Sequence, residues 1–289
     1  MKFLVTGATG KLGSKVVEAL LQSVAPENLA VSVRDPEKAS ALRARGVDIR
    51  QADFDEPASL DAAFEGVNRL LIISPSGDND TRIRRFMNVV PAAERAGVEF
   101  IAYTSIAKAD TDKPLLWAPS HRFCEEAILK TGIPYSFLRN NWYIENEADV
   151  VKRVLSGLPL VASSEDGKVG WATRDDYAQA AAAVLAGSGH ENTIYELSGP
   201  LRTYADLAEL IGQALGRTVP VHLVDDAAYA DFLIQAGVPK QSIPYYTSVQ
   251  KAIREGALAV ESNDLATLLG RPVTPLTDAI RLIKASASA

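Results

Sequence analysis

The 289 residues predict a doubly wound α/β architecture, a parallel sheet covered by helices on both faces, with a smaller C-terminal α/β lobe. Three observations carry that expectation. Apolar strand-like runs and amphipathic helix-like segments alternate regularly over the first half of the chain. The strands lack strict polar alternation, the pattern of strands buried on both faces. Finally, a turn with three glycines, "GATGKLG" (7–13), joins the first strand to the first helix.

The elements follow in order. Residues 2–7, "KFLVTG", form an apolar run that stops at glycine. Residues 11–24 place Leu12, Val16, Ala19, Leu20 and Val24 on one helical face. A strand is expected at 29–34 and a helix at 36–46, with Pro36 in its first turn and Gly46 just past its end. Strands at 47–54, 69–75, 99–105 and 134–143 alternate with helices at 57–66, 82–97 and 120–132. Pro91 should bend the helix that contains it. Beyond Trp142 the character changes. Helices are expected at 146–157, 173–187 and 203–216, the last two with Thr173 and Thr203 as N-caps, and a strand at 193–199. The rest reads as mixed short helices. The expected division is a first domain of residues 1–142, to which 167–198 return, and a second lobe of 143–166 and 199–289.

Glycine spacing in a strand–turn–helix context has a specific physical use. Gly7 permits the sharp turn, Gly10 lets the backbone approach a pyrophosphate, and Gly13 lets the helix pack closely on the sheet. The first helical N–H groups then face the phosphates, and the helix dipole favours their charge. With the intervening Thr9, Lys11 and Leu12 these glycines form the expected dinucleotide-binding turn of a Rossmann fold. NAD-selective sites put a carboxylate about 20 residues further on, against the ribose 2′-hydroxyl. Here the strand closes on Arg34, and Lys38 follows one helical turn later. Both suit a 2′-phosphate, so NADPH is the expected cofactor. Asp35 turned inward would admit NADH. Asp53 and Phe54 end the third strand near the expected adenine position, where Asp53 either accepts from the adenine amino group or caps a turn, and Phe54 stacks. Ser74 and Thr104 end strands where the nicotinamide ribose should pass.

Composition excludes several classes. A formal net charge of −6 argues against nucleic-acid binding as the main role. No stretch has the length and apolarity of a membrane span. The one cysteine, Cys124, permits no internal disulfide and suits a reducing, cytoplasmic setting; a buried, inert thiol is the expected reading. His190 and His222 lack acidic or cysteine companions at ligand spacing, so no metal is expected.

The fold and fingerprint resemble the short-chain dehydrogenase/reductase superfamily. Its typical members use a Tyr-x-x-x-Lys pair, with tyrosine as proton donor. At the corresponding helix this chain reads His121-Arg-Phe-Cys-Glu125, while the usual serine survives within "YTS" (103–105). That departure, with "VRDPEKA", "QADF", "FIAYTS", "HRFCEEAI" and "PYSFLRNNWYIEN", is similar to the atypical NmrA-like branch. Within it the chain looks most like type 2 NAD(P)H:quinone oxidoreductases and triphenylmethane-dye reductases. The resemblance covers nearly the whole chain, including "DDYAQAAAAVL" and "LLGRPVTPLTDAI".

The resemblance implies hydride transfer from NADPH to a quinone or similar planar acceptor. Reduction of such an acceptor gives a weakly basic quinolate that water can protonate, so the missing pair is no obstacle. Asn140, Asn141 and Tyr143, just past the sixth strand, are the expected hydrogen-bond donors to the acceptor. Both asparagines could instead cap a turn, and Tyr143 and Trp142 could be core aromatics. His121 either works near the nicotinamide or is an ordinary helix histidine paired with Glu125. The family also contains cofactor sensors without catalysis, which is the rival reading. A homodimer is compatible with the resemblance.

Overall fold

A computed structural model describes residues 1–111 and 115–287. Seven strands form one parallel sheet: β1 (Phe3–Thr6), β2 (Leu29–Val33), β3 (Asp48–Gln51), β4 (Arg69–Ile72), β5 (Phe100–Ile106), β6 (Tyr135–Asn140) and, later in the chain, β8 (Thr193–Leu197). Their spatial order is β3-β2-β1-β4-β5-β6-β8, which reverses direction beside β1. Doubly wound sheets bind ligands outside the carboxyl ends of the strands at such a reversal. Every residue of β1, β2 and β4 is buried, as a sheet covered on both faces requires.

Helices α1 (Gly13–Leu20), α2 (Ser40–Ala44), α3 (Pro57–Phe64), α4 (Asn79–Arg95) and α5 (Ala118–Thr131) make the crossovers of the first half. On one face, Val16, Val17 and Leu20 of α1 share a core with Ala178, Ala181, Val184 and Leu185 of α7 (Arg174–Ala186). On the other, α3, α4 and α5 cover β4 and β5 through Leu60, Phe64, Phe86, Val89 and Ile128. Helix α4 runs unbroken through Pro91 and starts before the expected position, because the Asp78 carboxylate accepts from Thr81 N at 2.8 Å. The single helix expected over 36–46 is a 3-10 turn, Pro36–Ala39, followed by α2.

The later chain adds α6 (Ala148–Leu155), a two-stranded parallel sheet of β7 (Leu160–Ala162) and β9 (Val221–Leu223), and the helices α8 (Tyr204–Leu215), α9 (Asp226–Gln235), α10 (Ile243–Arg254), α11 (Asp264–Leu269) and α12 (Leu276–Ala287). Helices α6, α8, α10 and α12 pack around Trp142, Trp171, Leu207, Ile211, Ile253 and Ile280, while α9 packs through Tyr229 and Leu233 on Ile243, and α11 joins the α1–α7 core through Leu265. The β7–β9 sheet was not expected from the sequence, since strands of three residues are too short to show a period. Thr173 and Thr203 do cap α7 and α8, the latter in a full capping box with Asp206. Asp176, fully buried, ties the C-terminal segment to α7 by accepting from Arg271 Nη2 and Thr274 N, both at 2.8 Å.

Candidate active site

A cleft of about 440 Å³ lies over the carboxyl ends of β1, β2 and β4. The turn after β1 forms one wall. Gly7 sits at φ +61°, a conformation that favours glycine, and its carbonyl accepts from Gly10 N at 2.9 Å. A Cβ on Gly13 would stand 2.3 Å from Gly7 O and 2.9 Å from Ala8 Cα, so this glycine packs against the turn itself rather than against the sheet. Helix α1 starts with no side-chain cap, and the N–H groups of Lys11, Leu12 and Gly13 donate to no backbone or side-chain group among the described residues. Open donors at a helix start are an anion site.

Of the residues expected at the cofactor, Gly7, Thr9, Gly10, Arg34 and Lys38 line this cleft, as do Asp53, Phe54 and Ser74. Leu12 and Gly13 do not line it, and the Leu12 side chain is buried in the α1 core. The Lys11 side chain lines a neighbouring depression with Glu145 and Arg174. Thr104 is buried beneath, where its hydroxyl accepts from Ser74 N at 2.9 Å. Asp35 does not turn inward: its carboxylate caps the Pro36–Ala39 turn through Glu37 N at 3.2 Å and lies 3.8 Å from Lys38 Nζ. The Arg34 guanidinium has no partner among the described residues and lines the cleft. Asp53 does cap a turn, accepting from Asp55 N at 3.0 Å, while also lining the cleft.

Two arginines missed by the sequence reading hold the loop after β4. Arg85 lines the cleft, donates Nη1 to Ser76 O at 2.9 Å and pairs with Asp55 at 2.8 Å. Arg82 donates Nε to Gly77 O at 2.9 Å and Nη1 to Ser74 Oγ at 3.1 Å.

The acid–base pair of the superfamily is replaced by closed networks. His121 is buried, with Nδ1 2.9 Å from Tyr103 Oη and Nε2 3.2 Å from Arg82 Nη1. Burial, reinforced by the Arg82 charge, lowers its pKa to about 3, so the ring is neutral and Nε2 accepts from Arg82. His121 does not form the expected pair with Glu125 and does not line the cleft; its two ring nitrogens meet Tyr103 and Arg82 instead. Glu125 instead accepts from two nitrogens of Arg139, Nε at 3.0 Å and Nη2 at 2.7 Å, and from Ser105 Oγ at 2.5 Å. Arg139 Nη1 also reaches Asp110 and Glu196. Cys124 is buried and its thiol is pushed up to about 12 by desolvation, an inert state.

Past β6 the three expected donors separate. Asn141 is consumed by the scaffold: Nδ2 donates to Ser198 Oγ and Leu258 O, at 3.1 and 3.0 Å, and Oδ1 accepts from Trp142 N at 2.8 Å. Both of its N–H donors are spent on the scaffold, so Asn141 is not the donor to the acceptor that the sequence suggested. Asn140 is different. Its Nδ2 donates to Tyr143 Oη at 3.1 Å, while its buried Oδ1 has no partner among the described residues. Tyr143 packs edge-on to Tyr177 with centroids 5.1 Å apart, and the Arg174 guanidinium lies 5.1 Å over its ring. Burial raises the Tyr143 pKa, partly offset by Asn140 and Arg174, so the hydroxyl keeps its proton. Among the described residues no His, Cys, Asp and Glu cluster could hold a metal ion. None of the described helices is long and apolar enough to cross a membrane.

The reversed strand order and the glycine turn define a Rossmann-type α/β protein. Within that class, the chain belongs to the NmrA-like family, whose model matches residues 1–258. It is 38% identical over 277 residues to quinone oxidoreductase 2 of Escherichia coli (strain K12), covering 96% of each chain. Among solved structures it is similar to Citrobacter sp. triphenylmethane reductase complexed with NADP(H). That similarity has a TM-score of 0.92 and 38% identity, covering 98% of this chain and 100% of the other. The E. coli NADPH-dependent quinone oxidoreductase complexed with NADPH superposes with a TM-score of 0.91 at 37% identity, covering 98% of this chain and 99% of that one.

Proposed function

We propose that this protein is a cytoplasmic NADPH-dependent reductase that transfers two electrons, as hydride, to a quinone or a similar planar acceptor. The observation that carries the reading is the fate of the acid–base pair. His121 and Glu125 are buried and engaged, so neither position of the usual acid–base pair can deliver a proton to a strong base at the dinucleotide cleft. An acceptor whose reduced form is a weak base suits that site. The family relatives that reduce quinones and triphenylmethane dyes support the same class of acceptor.

The residues present fit NADPH. The open N–H groups of Lys11, Leu12 and Gly13 would take the pyrophosphate, and Arg34 with Lys38 the 2′-phosphate. Arg82 and Thr104 fix Ser74 at the cleft, and Phe54 offers a ring face to the adenine. Bound NADPH supplies the hydride. The chain supplies orientation, which is worth several kcal/mol when a donor and acceptor are held in register. Tyr143 supplies polarity: its oxygen accepts from Asn140, which leaves its own O–H free to donate to the acceptor oxygen as negative charge develops. Bulk water then protonates the product. In this reading residues 143–166 and 199–289 form the lobe that covers the acceptor.

Tyr143→Phe tests the assignment. It removes the hydroxyl and keeps the ring on Tyr177. Turnover of a small quinone should fall about 100- to 1,000-fold, the range of one oxyanion donor, with NADPH affinity unchanged within about twofold. A parallel loss of NADPH affinity, or undiminished turnover, would place the acceptor elsewhere.

A further inference from the structure

A second cavity, of about 130 Å³, lies in the later part of the chain. The rings of Trp142, Tyr229, Tyr245 and Tyr246 line it, together with Glu147 and Arg153. None of these residues lines the dinucleotide cleft. Glu147 stands at the end of the short turn Ile144–Glu147, just before α6, and is only 4% exposed.

Its carboxylate is arranged unusually. Oε1 accepts from Trp142 Nε1 at 3.0 Å, Trp171 Nε1 at 3.2 Å and Tyr204 Oη at 3.1 Å. Three donors converging on one oxygen match an ionised carboxylate, since a neutral acid offers fewer acceptor sites. Burial raises the pKa of this group, and the three donors oppose that rise. Among the described residues nothing donates to Oε2, and no cation lies within ion-pair distance of Glu147, although the Arg153 charge on the same cavity wall helps the three donors oppose that rise. A charge this deeply buried is costly unless it is paired. Half of this carboxylate is satisfied by the protein, and the other half borders an aromatic cavity.

The cavity has the capacity of about one six-membered ring, since an engineered 150 Å³ cavity holds benzene. Aromatic faces beside a carboxylate attract organic cations through the ring quadrupole and a charge-assisted hydrogen bond. We propose that this cavity is a second ligand site, distinct from the dinucleotide cleft, that takes a single aromatic ring bearing an ammonium group. The ring sits among the three tyrosines and Trp142, and the ammonium donates to Glu147 Oε2. The proposal does not depend on the reductase reading.

The test is titration of the full-length protein with phenethylammonium, followed by calorimetry and by the fluorescence of Trp142 and Trp171, which both touch Glu147. Saturable binding is expected, with 2-phenylethanol at least 10-fold weaker and NADPH unable to displace the amine. Glu147→Gln keeps the shape and an acceptor oxygen but removes the charge, and should weaken phenethylammonium at least 10-fold. Tyr246→Ala opens a wall without touching the hydrogen bonds of Glu147, and should weaken the amine and the alcohol alike. If Glu147→Gln fails to fold, as its circular dichroism would reveal, Tyr246→Ala decides alone. Equal binding of alcohol and amine, displacement by NADPH, or binding untouched by the folded variants would overturn the proposal.

Discussion

Gly13→Ala is the sharpest perturbation of the turn between β1 and α1. The new methyl would lie 2.3 Å from Gly7 O, 2.9 Å from Gly7 C and 2.9 Å from Ala8 Cα, all backbone atoms. An ordinary non-bonded contact is about 3.5 Å, so the turn or the helix must move by roughly an ångström. Overpacking of this kind costs about 1–3 kcal/mol. Alanine returns up to about 1 kcal/mol of helix propensity, and less than that at a first helical position. A net loss of about 2 kcal/mol is expected, lowering Tm by about 5 °C in a chain of this size. The displaced group is the Gly7 carbonyl that holds Gly10 N, so the open N–H groups should lose their alignment and NADPH affinity should fall at least about 10-fold. Gly10→Ala is the control. Its Cβ would meet only Gly7 O, at 3.1 Å, and a shift of a few tenths of an ångström accommodates it. It should cost less than about 1 kcal/mol. Urea unfolding and fluorescence titration with NADPH read both effects. A Gly13→Ala protein with wild-type stability and wild-type NADPH affinity would refute the geometry assigned to this turn.

Two further outcomes follow from the cleft and its surroundings. Arg34→Asp should weaken NADPH roughly 10- to 100-fold, the value of a charge-assisted contact, and NADH less than about threefold; equal losses in parallel titrations would remove Arg34 from the 2′-phosphate. His121 should make the fold acid-sensitive. Its folded pKa of about 3 lies below the unfolded value of 6.5, so its contribution is complete above pH 6.5 and is lost as pH falls toward 3. Between pH 6 and pH 4 that loss is on the order of 2–3 kcal/mol, accumulating once the unfolded histidine is charged. Urea unfolding of wild type and His121→Gln should show this difference in pH dependence, and parallel curves would contradict a histidine held neutral.

Much of this was legible in the sequence because it is local. The glycine spacing, the apolar runs of β1, β2, β4 and β5 and the Thr173 and Thr203 caps each lie within a few residues of what they determine. Arg82, Arg85 and Arg139 were not legible as organisers of the site. Arg85 meets Asp55 across 30 positions, Arg82 meets His121 across 39 and Arg139 meets Glu196 across 57, contacts that only the folded chain creates. Asn140 and Asn141 show the same limit at close range. Two identical residues follow one another at a strand end, and the pleat turns them differently. One donates to Tyr143 and keeps an open acceptor, while the other is spent on the Ser198 hydroxyl just past β8 and on the backbone at Leu258. The pair of three-residue strands carried no periodic signal at all.

The central claim is that this cleft holds NADPH for hydride delivery to a planar acceptor without the Tyr-x-x-x-Lys proton-donor pair. Its most direct test is NADPH consumption, followed by absorbance, with a small quinone and separately with an unactivated aliphatic ketone. Rapid quinone-dependent oxidation with a stoichiometry of one NADPH per quinone, and none with the ketone, is the predicted result. Tight NADPH binding without turnover of the quinone, or efficient reduction of the ketone, would contradict it.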